Sequence, residues 1–115
     1  MINDVSTGQT PEYPDIQPQR FPGLAAGEAF DHCLAAAESM KWELREANRD
    51  QGVIEAVATV PIFRFRDDVT LTISDEAGAA VVNVRSRSRV GKSDLGENAR
   101  RIRRFQSALA ARVAK

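Results

Sequence analysis

The 115-residue chain has a single cysteine, Cys33, and a single histidine, His32. One thiol excludes an internal disulfide framework and any multi-cysteine metal site. The two residues are adjacent, and neighbouring side chains on a helix diverge, so they cannot form a nucleophilic Cys-His dyad. On the apolar stripe of a helix, Cys33 reads as a small buried hydrophobe. No metal-ligand spacing occurs elsewhere, and neither a metal nor another cofactor is expected. Apolar runs are broken by charge well before the ~18 residues that a membrane-spanning helix needs. A basic-then-apolar N-terminus is missing as well, so no signal peptide is visible. Net charge is also lacking: 16 basic residues balance 16 acidic ones, which at first sight argues against a nucleic-acid partner. What the chain does have is 43% hydrophobic and 28% charged residues, enough for one soluble domain with a core.

The zero charge hides an asymmetry. Residues 1–84 hold six basic and fourteen acidic residues, and residues 85–115 hold ten basic and two acidic, a change from −8 to +8. Such polarity marks a polyanion-binding surface, a basic end that folds back onto its own acidic half, or a solvated helix face.

Pro11, Pro14, Pro18 and Pro22 make residues 1–23 an extended arm, because proline fixes φ and extends the residue before it. Val5, Tyr13, Ile16 and Phe21 are the residues that would pin it. From Ala25, Phe30, Cys33/Leu34, Ala37 and Met40 recur at helical spacing. Alternation then predicts a hairpin, about 41–47 with 53–60, around the turn Asn48-Arg49-Asp50-Gln51-Gly52. Val69, Leu71 and Ile73 mark a third strand, Asp75-Glu76-Ala77-Gly78 a turn, and residues 80–88 a fourth strand. On that strand Val82 and Val84 face inward, while Asn83, Arg85, Arg87 and Arg89 share the other face. Asp94 and Glu97 fit a D-x-x-E helix cap. Leu95, Ala99, Ile102, Phe105, Leu109 and Val113 form the stripe of the final helix. The expected fold is α+β: a helix, a four-stranded antiparallel meander and a C-terminal helix. Both helices pack on one sheet face, with a proline-rich arm at 1–23 and a single domain over 24–115.

The segment from Arg85 to Asn98 joins a strand to a helix through a glycine-containing loop. Arg and Ser side chains and the free N–H groups of a helix start suit an anion. The candidate ligand-binding residues are Arg85, Ser86, Arg87, Ser88, Arg89, Ser93, Asp94, Asn98 and Arg101, with Asp67 and Asp68 behind them. Gly91-Lys92-Ser93 does not complete a P-loop. A purely structural reading uses the same residues: caps, buried partners for the backbone, and Arg89 or Arg101 paired with Asp67 or Asp68. Arg64 and Arg66 would extend a basic sheet face. Phe63 and Phe65 alternate away from them, which argues against base stacking and hence against nucleic acid. An anionic small molecule, an acidic protein or a membrane surface would use the same charges without stacking.

The motifs Asp4-Val5-Ser6-Thr7, Tyr13-Pro14-Asp15, Gly52-x-Ile54-Glu55-Ala56 and Phe63-x-Phe65-x-Asp67-Asp68-Val69 occur in that order. They are followed by Val84-Arg85-Ser86-x-Ser88-Arg89-Val90-Gly91-x-Ser93-Asp94-Leu95-Gly96-x-Asn98-x-x-Arg101-Ile102. In these the chain resembles the bacterial and plastid domain of unknown function 1499. The resemblance implies a compact α+β module, often found behind hydrophobic N-terminal segments, and carries no established activity. It implies either a cytoplasmic soluble member or the excised soluble part of a membrane-tethered envelope protein. Three functions stay open: a non-enzymatic binding domain for an anionic ligand, lipid head group or acidic partner at residues 85–101; a small hydrolase-like enzyme using Asp67 or Asp68 with Ser or Arg partners; and a structural, envelope-associated module.

Overall fold

The computed structural model describes residues 2–60, 64–89 and 96–115. Along the chain run β1 (Asp4–Ser6), β2 (Gln19–Pro22), α1 (Ala26–Ser39), β3 (Glu43–Asn48), β4 (Val53–Thr59), β5 (Arg66–Glu76), β6 (Ala79–Ser88) and α2 (Glu97–Val113). Strands β3 to β6 pair antiparallel in chain order, and β1 and β2 lie one after the other along the far edge of β6.

The fold is therefore α+β, with six strands among the described residues where four were expected. The other two come from residues 1–23, read above only as an extended arm. The physical reason is the outer edge of β6, a long row of backbone groups that needs partners. Asp4–Ser6 pairs with Arg87–Arg85, and Gln19–Pro22 pairs with Val82–Ala79. Pro22 is tolerated because it ends an edge strand, where a missing N–H costs nothing. Val5 and Ile16 anchor the arm, being 0% and 1% exposed.

Alternation separates the two sheet faces, although Val57 and Val81 of the outer face are buried as well. Ile54, Ala56, Ala58, Val69, Leu71, Ile73, Ala80, Val82 and Val84 join one core cluster with Phe30, Cys33, Ala37, Ile102, Phe105 and Leu109 of the helices. Both helices thus cover one face. The other carries Thr70, Thr72, Asn83, Arg85 and Arg87. Trp42, just before β3, stacks on Phe105 of α2 with centroids 5.4 Å apart and planes at 21°.

Two turns set the strand register. Ala77 and Gly78 both take positive φ (54° and 81°), the pairing that matches the twist of a two-residue hairpin. Gly52 takes φ of 70°, and Ile73 N–H donates to its carbonyl at 2.7 Å. A Cβ at Gly52 would overlap the Ile73 carbonyl oxygen, so only glycine allows that approach.

Helix α2 runs over Glu97–Val113. Its N-cap is Gly96, at φ 83° and with no side-chain cap, while Asp94 lies outside the described residues. Glu97, expected to reach back to the cap, pairs with Arg100, Arg101 and Arg104. A carboxylate facing three guanidiniums on its own helix is held by charge-assisted bonds.

Candidate functional site

The Arg85–Arg101 segment divides into a buried part and an exposed part, and the pleat of β6 makes the division. Ser86 shares the inward face with Val82 and Val84, whereas Arg85 and Arg87 point to the opposite face. Asp67 falls on the inward face of β5 in step with Val69 and Leu71, and Asp68 falls on the outer one.

Inside, Arg101 and Asp67 form an ion pair of 2.7 Å, with side chains 4% and 3% exposed. Arg101 Nη1 also donates to Asn98 Oδ1 (2.9 Å) and Ser86 Oγ (3.2 Å). Ser86 Oγ donates to Asn98 Oδ1 at 2.6 Å. Asn98 Nδ2 in turn donates to Ser88 Oγ (2.9 Å) and to the Asn3 carbonyl (3.2 Å). One network therefore ties α2 to β5, to β6 and to the chain entering β1. Every polar group in it meets an opposite, which is the condition for keeping charge inside a core. Its chemistry is that of a staple: the Ser86 proton rests on an amide oxygen rather than on a base, and the Asp67 carboxylate is held by a cation.

On the outer face, Arg85 grips Asp4 with two bonds (3.0 and 2.7 Å) and Arg89 grips Asp68 (2.9 and 3.1 Å). Arg87 lies between them, opposite Asp4 on β1 and Asp68 on β5. Its guanidinium makes no hydrogen bond or ion pair among the described residues. The Arg85 hydrogen bond holds the Asp4 carboxyl below its usual range against partial burial, and the charges of Arg85 and Arg87 add to that. Beside this row an open cleft of about 500 Å³ is lined by Asp4, Ser6, Gln9, Thr10, Glu12 and Arg85, among others.

Of the nine candidate ligand residues, Ser86, Asn98 and Arg101 sit together in the core and Ser88 borders them. Arg85, Arg87 and Arg89 lie exposed on the opposite face, and Ser93 and Asp94 fall outside the described residues. Asp67 and Asp68 serve opposite faces, bound to Arg101 and Arg89. Asp4 and Glu97 were not singled out as site residues. The Asp4 signal is faint, because only the edge pairing of β1 brings it to Arg85. The charge asymmetry resolves in part into folding back: Arg85, Arg89, Arg101 and Arg103, four of the ten basic residues, bind Asp4, Asp68, Asp67 and Asp15 of the acidic stretch.

Burial raises the Glu97 carboxyl, but hydrogen bonds from Arg104 and Arg100 and the charge of Arg101 outweigh it and hold the group below its usual range. A carboxyl depressed on folding contributes stability that is complete above the ordinary carboxylate range and lost as pH falls through the folded value. Glu97→Gln is therefore expected to lower the melting temperature at neutral pH by a few degrees, or about 1 kcal/mol. The gap to the parent should close as pH drops from about 5 to about 3, and calorimetry across that range checks it.

Burial alone pushes the Cys33 thiol up to about 12, so it is an inert core group. Among the described residues, no three His, Cys, Asp or Glu side chains are placed to hold a metal. No helix among them is long and apolar enough to cross a membrane.

The fold and its staple define a small α+β domain with two helices on one face of an antiparallel sheet and a polar, arginine-bearing face opposite. The family of proteins of unknown function DUF1499 matches residues 2–109, and the chain belongs to it. No curated protein matches the chain significantly.

Proposed function

We propose that this chain is a non-enzymatic binding domain whose exposed sheet face takes an anionic group, with Arg87 as the principal contact. One observation carries the reading. Arg87 stands between two carboxylates already bound by Arg85 and Arg89, so three guanidiniums face two carboxylates and one positive charge is left over. A phosphate or carboxylate would complete the row with charge-assisted bonds, and Arg85 and Arg89 already hold rigid forks beside it.

This narrows the candidate residues to Arg85, Arg87 and Arg89. It also ranks the alternatives. A hydrolase would need Asp67 or Asp68 as a base, and Arg101 and Arg89 occupy both. A structural, envelope-associated module draws on the buried staple, which needs no ligand.

Pyrophosphate at about ten times its dissociation constant should stabilise the parent by about 1.4 kcal/mol, a rise in melting temperature of roughly 5 °C. Arg87→Ala should lose most of that rise while melting normally without ligand. If neither inorganic phosphate, pyrophosphate nor citrate moves the parent's melting temperature, the reading fails.

A further inference from the structure

Strand β3 ends the sheet order beyond β4, so among the described residues its outer edge has no strand partner. The backbone groups of such an edge are a template for another strand. Glu43 to Ala47 are exposed and Asn48 is half-buried, which leaves that edge open to approach. Two apolar residues reach the rim. Leu44 pairs with Ala56 and Ala47 with Ile54, and Ala56 and Ile54 both belong to the core cluster. Leu44 and Ala47 therefore stand on the core side of the sheet, yet Leu44 is 37% exposed.

The strand is also self-complementary in shape and charge. Its register with β4 slips between Leu44 and Glu46, so Arg45 and Glu46 together occupy one position of the ladder. Leu44 stands one position before that bulge and Ala47 one position after it. A bulge bends its strand and spoils the fit of a regular partner, which is how many edges are protected. An antiparallel strand with the same bulge at the same level keeps the fit. A two-fold axis through the bulge sets Leu44 against Ala47 of a second copy, and Arg45 against Glu46 of that copy. Each contact then occurs twice. Arg45 already holds Glu43 at 2.7 Å in an exposed pair, and its guanidinium has donors left for a second carboxylate. Glu46 makes no side-chain hydrogen bond or ion pair among the described residues.

We infer that β3 pairs antiparallel with β3 of a second copy of this chain, joining two sheets across a two-fold axis at the bulge. The occupant follows from complementarity. A regular strand would meet the kink and leave Arg45 and Glu46 without opposite charges. A second copy supplies the matching kink, an apolar residue for Leu44 and an opposite charge for each member of the bulge. Strands β5 and β4 lie between this edge and β6, so the pairing is independent of the anion-binding reading. An edge of six residues belongs with small interfaces, so the dimer is a reversible one.

Sedimentation equilibrium of the full chain from about 10 μM to about 1 mM tests it, a range that covers weak complexes. The average mass is expected to climb from one chain toward two and to level off there. Arg45→Glu sets carboxylate against carboxylate in both symmetric contacts and should weaken association about tenfold, with circular dichroism unchanged. Glu46→Arg should do the same by opposing two cations. Arg45→Glu combined with Glu46→Arg reverses both charges and should restore the association of the parent. Both positions are exposed, so the variants leave the core intact. A parent that stays a single chain over the whole range overturns the inference. A dimer that neither single reversal weakens overturns it too, by placing the interface elsewhere. So does a folded double reversal that fails to associate, and masses beyond two chains overturn the closed pairing.

Discussion

Asp67→Ala is expected to lower the melting temperature by roughly 15–25 °C, the equivalent of about 3–5 kcal/mol. The substitution strands the Arg101 guanidinium in a site where its side chain is 4% exposed. Asn98 and Ser86 still offer neutral oxygens at 2.9 and 3.2 Å, and Glu97 lies at 3.6 Å. Neutral acceptors do not replace a counter-charge, and the Glu97 carboxylate is shared with Arg100 and Arg104. Arg101→Ala should cost a similar amount from the other side, leaving an anion in the core. Replacing both partners with apolar groups of similar size, Asp67→Leu with Arg101→Met, should recover most of the loss, because the desolvation cost disappears with the charges. Ser86, Asn98 and Ser88 would keep their own bonds in that variant. Thermal denaturation of the three variants decides the matter: a drop of under ~1 kcal/mol in Asp67→Ala would mean that the pair is not what holds α2 to β5.

The staple was half legible in the sequence. Asp67 sits in step with Val69, Leu71 and Ile73, and Ser86 in step with Val82 and Val84, so period two alone turns both inward. Asn98 and Arg101 are harder to read, because they lie on the stripe of α2 beside Ile102 and Phe105, and an arginine there looks like an interruption of the apolar face. The clue was that two polar residues, three apart on one helix, faced two polar residues turned inward on the sheet. An unmatched charge in that position would be too costly to keep, and the match is what permits it.

The arm was legible in composition but not in pairing. Its prolines predict extended backbone, and extended backbone next to an open strand edge becomes a strand when the edge is free. Nothing local says which edge is free. That depends on β6 lying last in the meander, a fact about topology. The hydrophobic anchors Val5 and Ile16 were identifiable, and the consequence for the site was not: β1 brings Asp4 beside Arg85 and so removes one of the cations that residues 85–89 would otherwise offer. The same edge pairing leaves Arg87 as the unmatched charge of its row, between Asp4 and Asp68. Strand register thus selects one arginine from three that the sequence treats alike.

Phe105→Ala should cost about 3–5 kcal/mol through lost burial and the cavity left behind. Phe105 is 0% exposed, and its ring is stacked on Trp42, so the substitution removes both area and an aromatic pair worth roughly 0.5–1.5 kcal/mol beyond burial. Trp42 is the sole tryptophan and is 8% exposed, which makes its fluorescence a local reporter. The emission should shift to the red as water reaches the indole, ahead of any loss of helix signal in circular dichroism. Phe105→Leu keeps most of the volume and should cost under ~1.5 kcal/mol, with the emission little changed. The contrast separates packing from mere hydrophobicity. The stack joins α2 to the connection between α1 and β3, and α2 carries Asn98 and Arg101 on the same stripe two turns and one turn earlier. Loosening the Phe105 end should therefore weaken the staple too. Phe105→Ala and Asp67→Ala combined are expected to cost less than the sum of the two, since each leaves less for the other to lose. Strict additivity would show instead that the two ends of α2 hold independently.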